Sequence, residues 1–120
     1  MEGLTVEDLL QIAVRVVGEE ASVRDPGLLV AALARTQATA DGMQVYPTPA
    51  ERAAALLHSL ATSFPLVAGN RPFALAAALV QMALEDEPAG ITDDAAVELV
   101  TAIVTGRLED VREIATALRG

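Results

Sequence analysis

Apolar residues recur at helical spacing along most of the chain, and each apolar run follows a residue suited to capping a helix. The first run, LLQIAVRVV at 9–17, follows Thr5 with two acids in the intervening turn, so we predict a helix that ends at about Gly18. The second run follows Asp25 as the cap and Pro26 as the first helical residue, which predicts a short, buried helix.

A capping box of Thr48, Pro49 and Glu51 opens a third helix, PAERAAALLHSLATS. Ahead of it, residues 37–47 make up the one long irregular segment, in which Asp-Gly at 41–42 indicates a turn. No stretch alternates apolar and polar residues as a half-buried strand would, so we predict no β-strand.

An almost uninterrupted apolar stretch, NRPFALAAALVQMALEDE, begins at residue 70 and predicts a central, buried helix over about 70–86. Thr92 then caps a fifth helix that reaches about Thr105, and LEDVREIATALR from 108 forms a sixth. The pattern therefore predicts an all-α fold of about six helices around the 70–86 helix, in a single domain over residues 1–120.

Composition narrows the chemistry that this chain can carry. It contains no cysteine, which excludes disulfides, thiolate metal sites and cysteine nucleophiles. Its one histidine, His58, excludes histidine-rich zinc sites, so any metal site would depend on carboxylates. We predict no metal site.

The charge of the chain argues against several classes of ligand. Seventeen acids stand against eight bases, all of them arginine, for a net charge of −9. A nucleic-acid binder needs a basic face, which this balance opposes. No apolar run reaches the length of a membrane span, and residues 1–5 lack the features of a signal peptide. We therefore expect a cytoplasmic protein that binds neither nucleic acid nor membranes.

One short motif is a candidate binding site. AGNR at 68–71 leads into the predicted 70–86 helix. Amides at the start of a helix are unpaired and lie at the positive end of its dipole, so a Gly-Asn turn there can hold an anion. Taken alone, the motif is better explained by ordinary helix capping.

The order of several stretches resembles the Doc (death-on-curing) branch of the Fic superfamily. The resemblance runs in one register from about residue 5 to 118. The stretches that carry it are VRDPGLLVAAL at 23–33, Arg35, YPTPAERAAA at 46–55, residues 56–60, Pro65, Gly69-Asn70 and residues 74–79.

This resemblance implies an all-helical Fic fold with a motif His-x-Phe-x-Asp-Gly/Ala-Asn-Lys-Arg before the long helix. In such enzymes the histidine is the general base for a target hydroxyl and the acid holds Mg²⁺ on the nucleotide phosphates. The Gly-Asn amides bind an anion and the basic residues grip phosphate. Doc toxins phosphorylate a translation elongation factor, whereas other Fic proteins transfer AMP.

Three positions of that motif have lost their chemical group in this chain. Phe64 stands where the family has histidine, Ala68 where it has the acid, and Pro72 where it has the second basic residue. The positions that keep anion-binding character are Gly69, Asn70 and Arg71, and Leu66 replaces the motif phenylalanine. The resemblance therefore implies a degenerate catalytic motif.

No nearby residue is predicted to replace the missing base. His58 lies six positions before Phe64 on the third helix, about 240° around its axis, so it should project elsewhere. The aromatic residues Tyr46, Phe64 and Phe73 are candidates to line a peptide-binding groove, with ordinary core packing as the alternative.

Two functions follow from these expectations. In the first, the chain is a degenerate Doc-like binding or regulatory module, needs no cofactor, and pairs with an antitoxin-like segment or a regulated target. In the second, it is the Doc-like toxin of a toxin–antitoxin system with residual or altered ATP-dependent transfer to a protein hydroxyl, which would require ATP and Mg²⁺. Self-association into a homo-oligomer is left open under either function.

Overall fold

The computed structural model describes residues 3–120. Within this range the chain forms six α-helices and one two-stranded hairpin, and none of these helices is long and apolar enough to span a membrane. The elements in order are α1 (Val6–Val17), α2 (Pro26–Thr36), β1 (Thr39–Ala40), β2 (Met43–Gln44), α3 (Pro49–Ser63), α4 (Asn70–Leu84), α5 (Asp93–Val104) and α6 (Val111–Arg119).

The predicted caps set the starts of four helices. Thr5 accepts a hydrogen bond from the amide of Asp8, whose carboxylate accepts the amide of Thr5 in return. The side chains of Asp25, Thr48 and Thr92 likewise accept amides in the first turns of α2, α3 and α5. Since each cap satisfies an amide that lacks a helical partner, the sequence located these helices correctly.

The hairpin between α2 and α3 was not predicted. Its strands pair Thr39 with Gln44 and Ala40 with Met43 in antiparallel register. The two turn residues, Asp41 and Gly42, have φ of 53° and 78°, and positive φ at both central positions is the geometry of a two-residue hairpin turn. The Asp-Gly pair is therefore the turn of a hairpin. The strands were not predicted because two residues are too few to show an alternation of apolar and polar positions.

The core is built mainly from α3 and α4. α3 packs against α2, α4, α5 and α6, whereas α4 packs against α1, α3 and α5. Small side chains let several helices approach α3 closely, so it is the more deeply buried of the two, and α4 keeps one side open to solvent. The buried residues of α3 are Ala50, Ala53, Ala54, Ala55, Leu56, Leu57, Leu60 and Ala61.

α1 lies antiparallel along α4. Near the start of α1, the amide of Leu4 donates to Oε1 of Gln81, 3.2 Å away, and this glutamine is only 2% exposed. At the other end, the side chain of Val17 lies against Gly69, just before α4 begins. The last turn of α1 therefore packs against the loop just before α4.

A half-buried network joins α3, α4 and the end of the hairpin. Nη2 of Arg52 lies 2.5 Å from Oε1 of Glu85, with side chains only 12% and 13% exposed. Nη1 of Arg52 also donates to the carbonyl of Tyr46 at 2.9 Å, and Gln81 donates to Glu85. Each charged group is thus paired or hydrogen bonded, as burial requires.

We expect Arg52→Ala to lower the free energy of unfolding by about 3 kcal/mol, because it leaves the buried Glu85 carboxylate without its charged partner. The matched control is Arg119→Ala, which removes an exposed arginine 4.0 Å from Glu87 and should cost less than about 1 kcal/mol. Urea unfolding of both variants measures the difference. Equal losses would contradict the assigned importance of the Arg52–Glu85 pair.

Candidate functional site

The candidate site is the loop from Phe64 to Gly69, which connects α3 to α4. α3 ends at Ser63, and Phe64 adopts a left-handed conformation, φ 56° and ψ 60°. This conformation is costly for a residue with a Cβ. The Phe64 side chain is 47% exposed, whereas the next residues, Pro65 and Leu66, are buried. The loop therefore turns sharply at Phe64.

Hydrogen bonds from the segment between α1 and α2 fix the path of this loop. The amides of Arg24 and Asp25 donate to the carbonyl of Pro65 at 2.7 and 3.2 Å, and the amide of Val67 donates to the carbonyl of Ser22 at 2.9 Å. We call this set of contacts between residues 22–25 and 63–67 the clasp.

The guanidinium of Arg24 extends the clasp. Its Nε donates to the carbonyl of Phe64 at 2.7 Å, and its Nη2 donates to the carbonyl of Ser63 at 2.8 Å. These two carbonyls lie at the end of α3, where helical carbonyls lack amide partners. Arg24 therefore caps α3 while holding the start of the loop.

Asn70 fastens the loop from within. Its Oδ1 accepts the amide of Leu66 and its Nδ2 donates to the carbonyl of the same residue, both at 2.9 Å. The side chain is thus engaged with loop backbone, and its contribution to the site is to fix the loop's shape.

The start of α4 combines a tight fit with unpaired amides. Gly69 has φ 80°, and a Cβ at this position would lie 2.6 Å from Cγ2 of Val17, so only glycine fits. No side chain caps α4. Among residues 3–120 we find no acceptor for the amides of Ala68, Gly69, Asn70 and Arg71. Such amides at the positive end of a helix can bind an anion or water.

The side chains of the loop carry little chemistry of their own. From Phe64 to Pro72, the one ionisable side chain is that of Arg71. A general base needs a group that can accept a proton within hydrogen-bonding distance, and neither Phe64 nor Ala68 has one. Among residues 3–120, no cluster of three or more histidine, aspartate or glutamate side chains could hold a metal ion.

Arg71 faces α5. It is exposed and has no hydrogen bond or ion pair within the described part of the chain. With Pro72, it borders a cavity of about 270 Å³ between α4 and α5. The remaining lining residues are Leu75, Val97, Val100 and Thr101.

His58 lies on the side of α3 that faces α2. Its Nδ1 is 3.0 Å from Nη1 of Arg35. Burial and the positive charge of Arg35 lower the pKa of His58, while Glu109 acts in the opposite direction. The lowered pKa favours the neutral form of His58, which lies within hydrogen-bonding distance of an arginine.

The three aromatic residues predicted to line a groove have different environments. Phe73 is fully buried, so its assignment to an accessible groove is wrong; it lies on the side of α4 that faces the core. Tyr46 accepts a hydrogen bond from Nε of Arg35 at 3.1 Å and borders a cavity with Glu51 and residues 110–112. Of the three aromatic residues, Phe64 is the one that lies exposed, and it does so at the loop.

The sequence did not predict the contacts of three residues: Val17 and Arg24, which hold the loop, and Arg35, which binds Tyr46 and lies against His58. Each contacts a residue that is distant in the sequence. Arg24, for example, donates hydrogen bonds to carbonyls 39 and 40 positions later. No local pattern could have shown these contacts. A Gly-Asn turn ahead of a helix can indicate that the glycine has a positive φ. The positive φ of Gly69 was therefore the one feature of the loop's geometry that the sequence could indicate.

Comparison with known proteins places the loop within a matched region. A sequence model of the Fic/DOC family matches residues 3–82. The chain is also similar to a curated protein named Toxin Doc from Mycolicibacterium smegmatis (strain ATCC 700084 / mc(2)155), at 51% identity over 77 residues. That alignment covers 64% of this chain and 59% of the relative, so it spans less than two thirds of the relative's length.

We expect Gly69→Ala to destabilise the protein more than Gly42→Ala. The two glycines have nearly the same φ, 80° and 78°, but a Cβ on Gly42 meets nothing within 4 Å. Gly42→Ala should therefore cost only the backbone strain, about 1 kcal/mol, whereas Gly69→Ala adds an overlap with Val17 of about 1–3 kcal/mol. Urea unfolding measures both.

The variant Val17→Ala tests the cause of that difference. In a Val17→Ala background, Gly69→Ala should cost no more than Gly42→Ala, because the overlapping methyl groups are gone. An unchanged cost in this background, or equal costs in the wild-type background, would contradict the close packing of α1 on the loop.

Proposed function

The chain belongs to the Fic/DOC family, and we propose that within this family it acts as a binding or regulatory module that carries out neither phosphoryl nor AMP transfer. The observation that carries the proposal is a contrast between the backbone of the loop and its side chains. Gly69 and Asn70 keep a well-fixed backbone, while Phe64, Ala68 and Pro72 supply no proton acceptor, no metal ligand and no cation.

The expected loss of reaction rate supports the proposal. Removal of a general base typically costs about 10²–10⁴ in rate, and loss of bound magnesium removes several kcal/mol more of charge stabilisation. The loop's donor set does not fit a magnesium-bound nucleotide, because Ala68 offers no carboxylate. Pro72 also has no amide to give to an anion.

An apolar surface on α1 and α4 supports binding to another protein. Every exposed residue of α4 between Pro72 and Leu84 is apolar, since the one polar side chain there, Gln81, is buried. On α1, Leu10, Val14 and Val17 are exposed at positions i, i+4 and i+7. We call these residues the α1–α4 face; exposed apolar faces of this kind commonly mark interaction sites.

The partner we propose is an antitoxin-like segment or a regulated target in the cytoplasm. The name of the mycobacterial relative, Toxin Doc, motivates the antitoxin. The net charge of −9 favours a segment with basic residues outside its apolar contact. The alternative to be tested is that a second copy of this chain binds the same face and forms a homo-oligomer.

A second candidate function is residual or altered ATP-dependent transfer to a protein hydroxyl. It is favoured by the four unpaired amides from Ala68 to Arg71 and by the exposed guanidinium of Arg71. Both could still attract phosphate. This function would require ATP and Mg²⁺ and a base supplied from outside the loop.

We expect no thermal stabilisation of the purified protein by millimolar ATP and Mg²⁺, and no label transferred from radioactive ATP to cellular protein. Ligand at 100 times its dissociation constant adds about 2.7 kcal/mol, which would raise the Tm by about 10 °C. Either signal, at catalytic amounts of this chain, would favour the second candidate.

The triple variant Phe64→His, Ala68→Asp, Pro72→Arg provides the matched comparison. It restores the family's base, acid and second cation on a loop whose backbone contacts do not use these side chains. We expect it to gain nucleotide stabilisation that the wild type lacks. Equal stabilisation of both proteins would contradict the assignment of these three positions as the cause of lost activity.

We expect a neighbouring gene product that binds this chain to depend on the α1–α4 face. After co-expression, it should co-purify with the wild type and with Val30→Glu, but not with Val80→Glu. Val30 and Val80 are both exposed valines, but Val30 lies on α2, outside the face. Loss of the complex in both variants, or in neither, would contradict this placement of the binding surface.

A further inference from the structure

Arg35 joins three parts of the molecule at one guanidinium. From the last turn of α2, its Nη1 donates to Oγ of Ser59 at 3.0 Å and lies 3.0 Å from Nδ1 of His58. Its Nε donates to the hydroxyl of Tyr46 at 3.1 Å, and the guanidinium lies over the Tyr46 ring, 5.6 Å from its centroid. α2, α3 and the segment after the hairpin therefore meet here.

The contact with His58 has a strict protonation requirement. An arginine side chain has donors only, so Nδ1 of His58 must be the acceptor. The imidazole is therefore neutral and carries its proton on Nε2. A proton on Nδ1 would remove the acceptor and place a second positive charge beside the guanidinium.

The surroundings of His58 offer little compensation for such a charge. Arg35 faces it from α2, and Tyr46 reaches it only through Arg35. Glu109, from the segment ahead of α6, is the one acid that raises the pKa of His58, and it is outweighed by burial and by Arg35. His58 also borders a cavity of about 340 Å³ with Thr62 and Ser63.

We propose that His58 and Arg35 form an acid-sensitive latch, which holds Tyr46 and the β1–β2 hairpin against α2 and α3 while the imidazole is neutral and releases them when it takes up a proton. The released guanidinium no longer donates to the Tyr46 hydroxyl. The hydrogen bonds from Arg52 to the side chain of Gln44 and the carbonyl of Tyr46 remain, as does the backbone bond from Ala38 to the carbonyl of Arg35.

The direction of the pH effect follows from the pKa of His58. In the released state the imidazole titrates near its ordinary pKa of 6.5, whereas in the latched state its pKa is lower. The latch is therefore fully effective above pH 6.5 and weakens as the pH falls below it. The equilibrium for release changes by at most about tenfold for each pH unit in that window.

The test is hydrogen exchange of the Val45 amide, which donates to the carbonyl of Ala38 across the base of the hairpin at 2.9 Å. Exchange of the intact protein is measured at pH 7.5 and 5.5 and divided by the rate of an unstructured peptide at the same pH. We expect protection of Val45 to fall by up to about tenfold at pH 5.5, while amides of α5 keep theirs. Unchanged protection at Val45, or equal loss in α5, would overturn the proposal.

Two variants separate the latch from a general loss of stability. His58→Asn keeps an acceptor near the position of Nδ1 but does not titrate, so Val45 should remain protected at both pH values. Tyr46→Phe removes the hydroxyl that Arg35 holds. It should lower protection at both pH values and abolish the pH difference, although the His58 ring still titrates by NMR. A pH difference of wild-type size in either variant would overturn the proposal.

Discussion

The clasp between residues 22–25 and 63–67 is the interaction on which the candidate site depends. Three of its hydrogen bonds run from backbone to backbone, and the other two run from Arg24 to backbone carbonyls. It fixes the end of α3 and the entry to α4, and Asn70 completes the loop from inside. The loop's shape is therefore set without help from the side chains at positions 64, 68 and 72.

Val17 connects this loop with the proposed protein-binding surface. Its side chain covers Gly69 at the start of α4, and it is also the last exposed apolar residue of the α1 stripe. A partner on the α1–α4 face would thus border the loop without entering it. The proposed binding surface and the loop are therefore neighbours, joined at Val17.

Much of the fold could be predicted from the sequence, because helix caps and apolar spacing act over a few residues. Thr5, Asp25, Thr48 and Thr92 each marked a helix start that the structure confirms. The hairpin was missed because its strands are only two residues long. The deep burial of α3 was missed because polar residues such as Glu51, Arg52 and His58 interrupt its apolar pattern. At the candidate site, the sequence predicted a loop between α3 and α4, which the structure contains. It did not predict the contacts of Arg24, Arg35 or Val17, whose partners are set by tertiary packing.

The reliance of the clasp on main-chain atoms has an evolutionary consequence. The side chains at positions 64, 68 and 72 are exposed and supply none of the donors or acceptors of the clasp, so their substitution leaves these hydrogen bonds in place. A loop held in this way accepts different side chains at its exposed positions while the protein stays folded. Evolution can therefore vary the chemistry of this surface at little cost to folding.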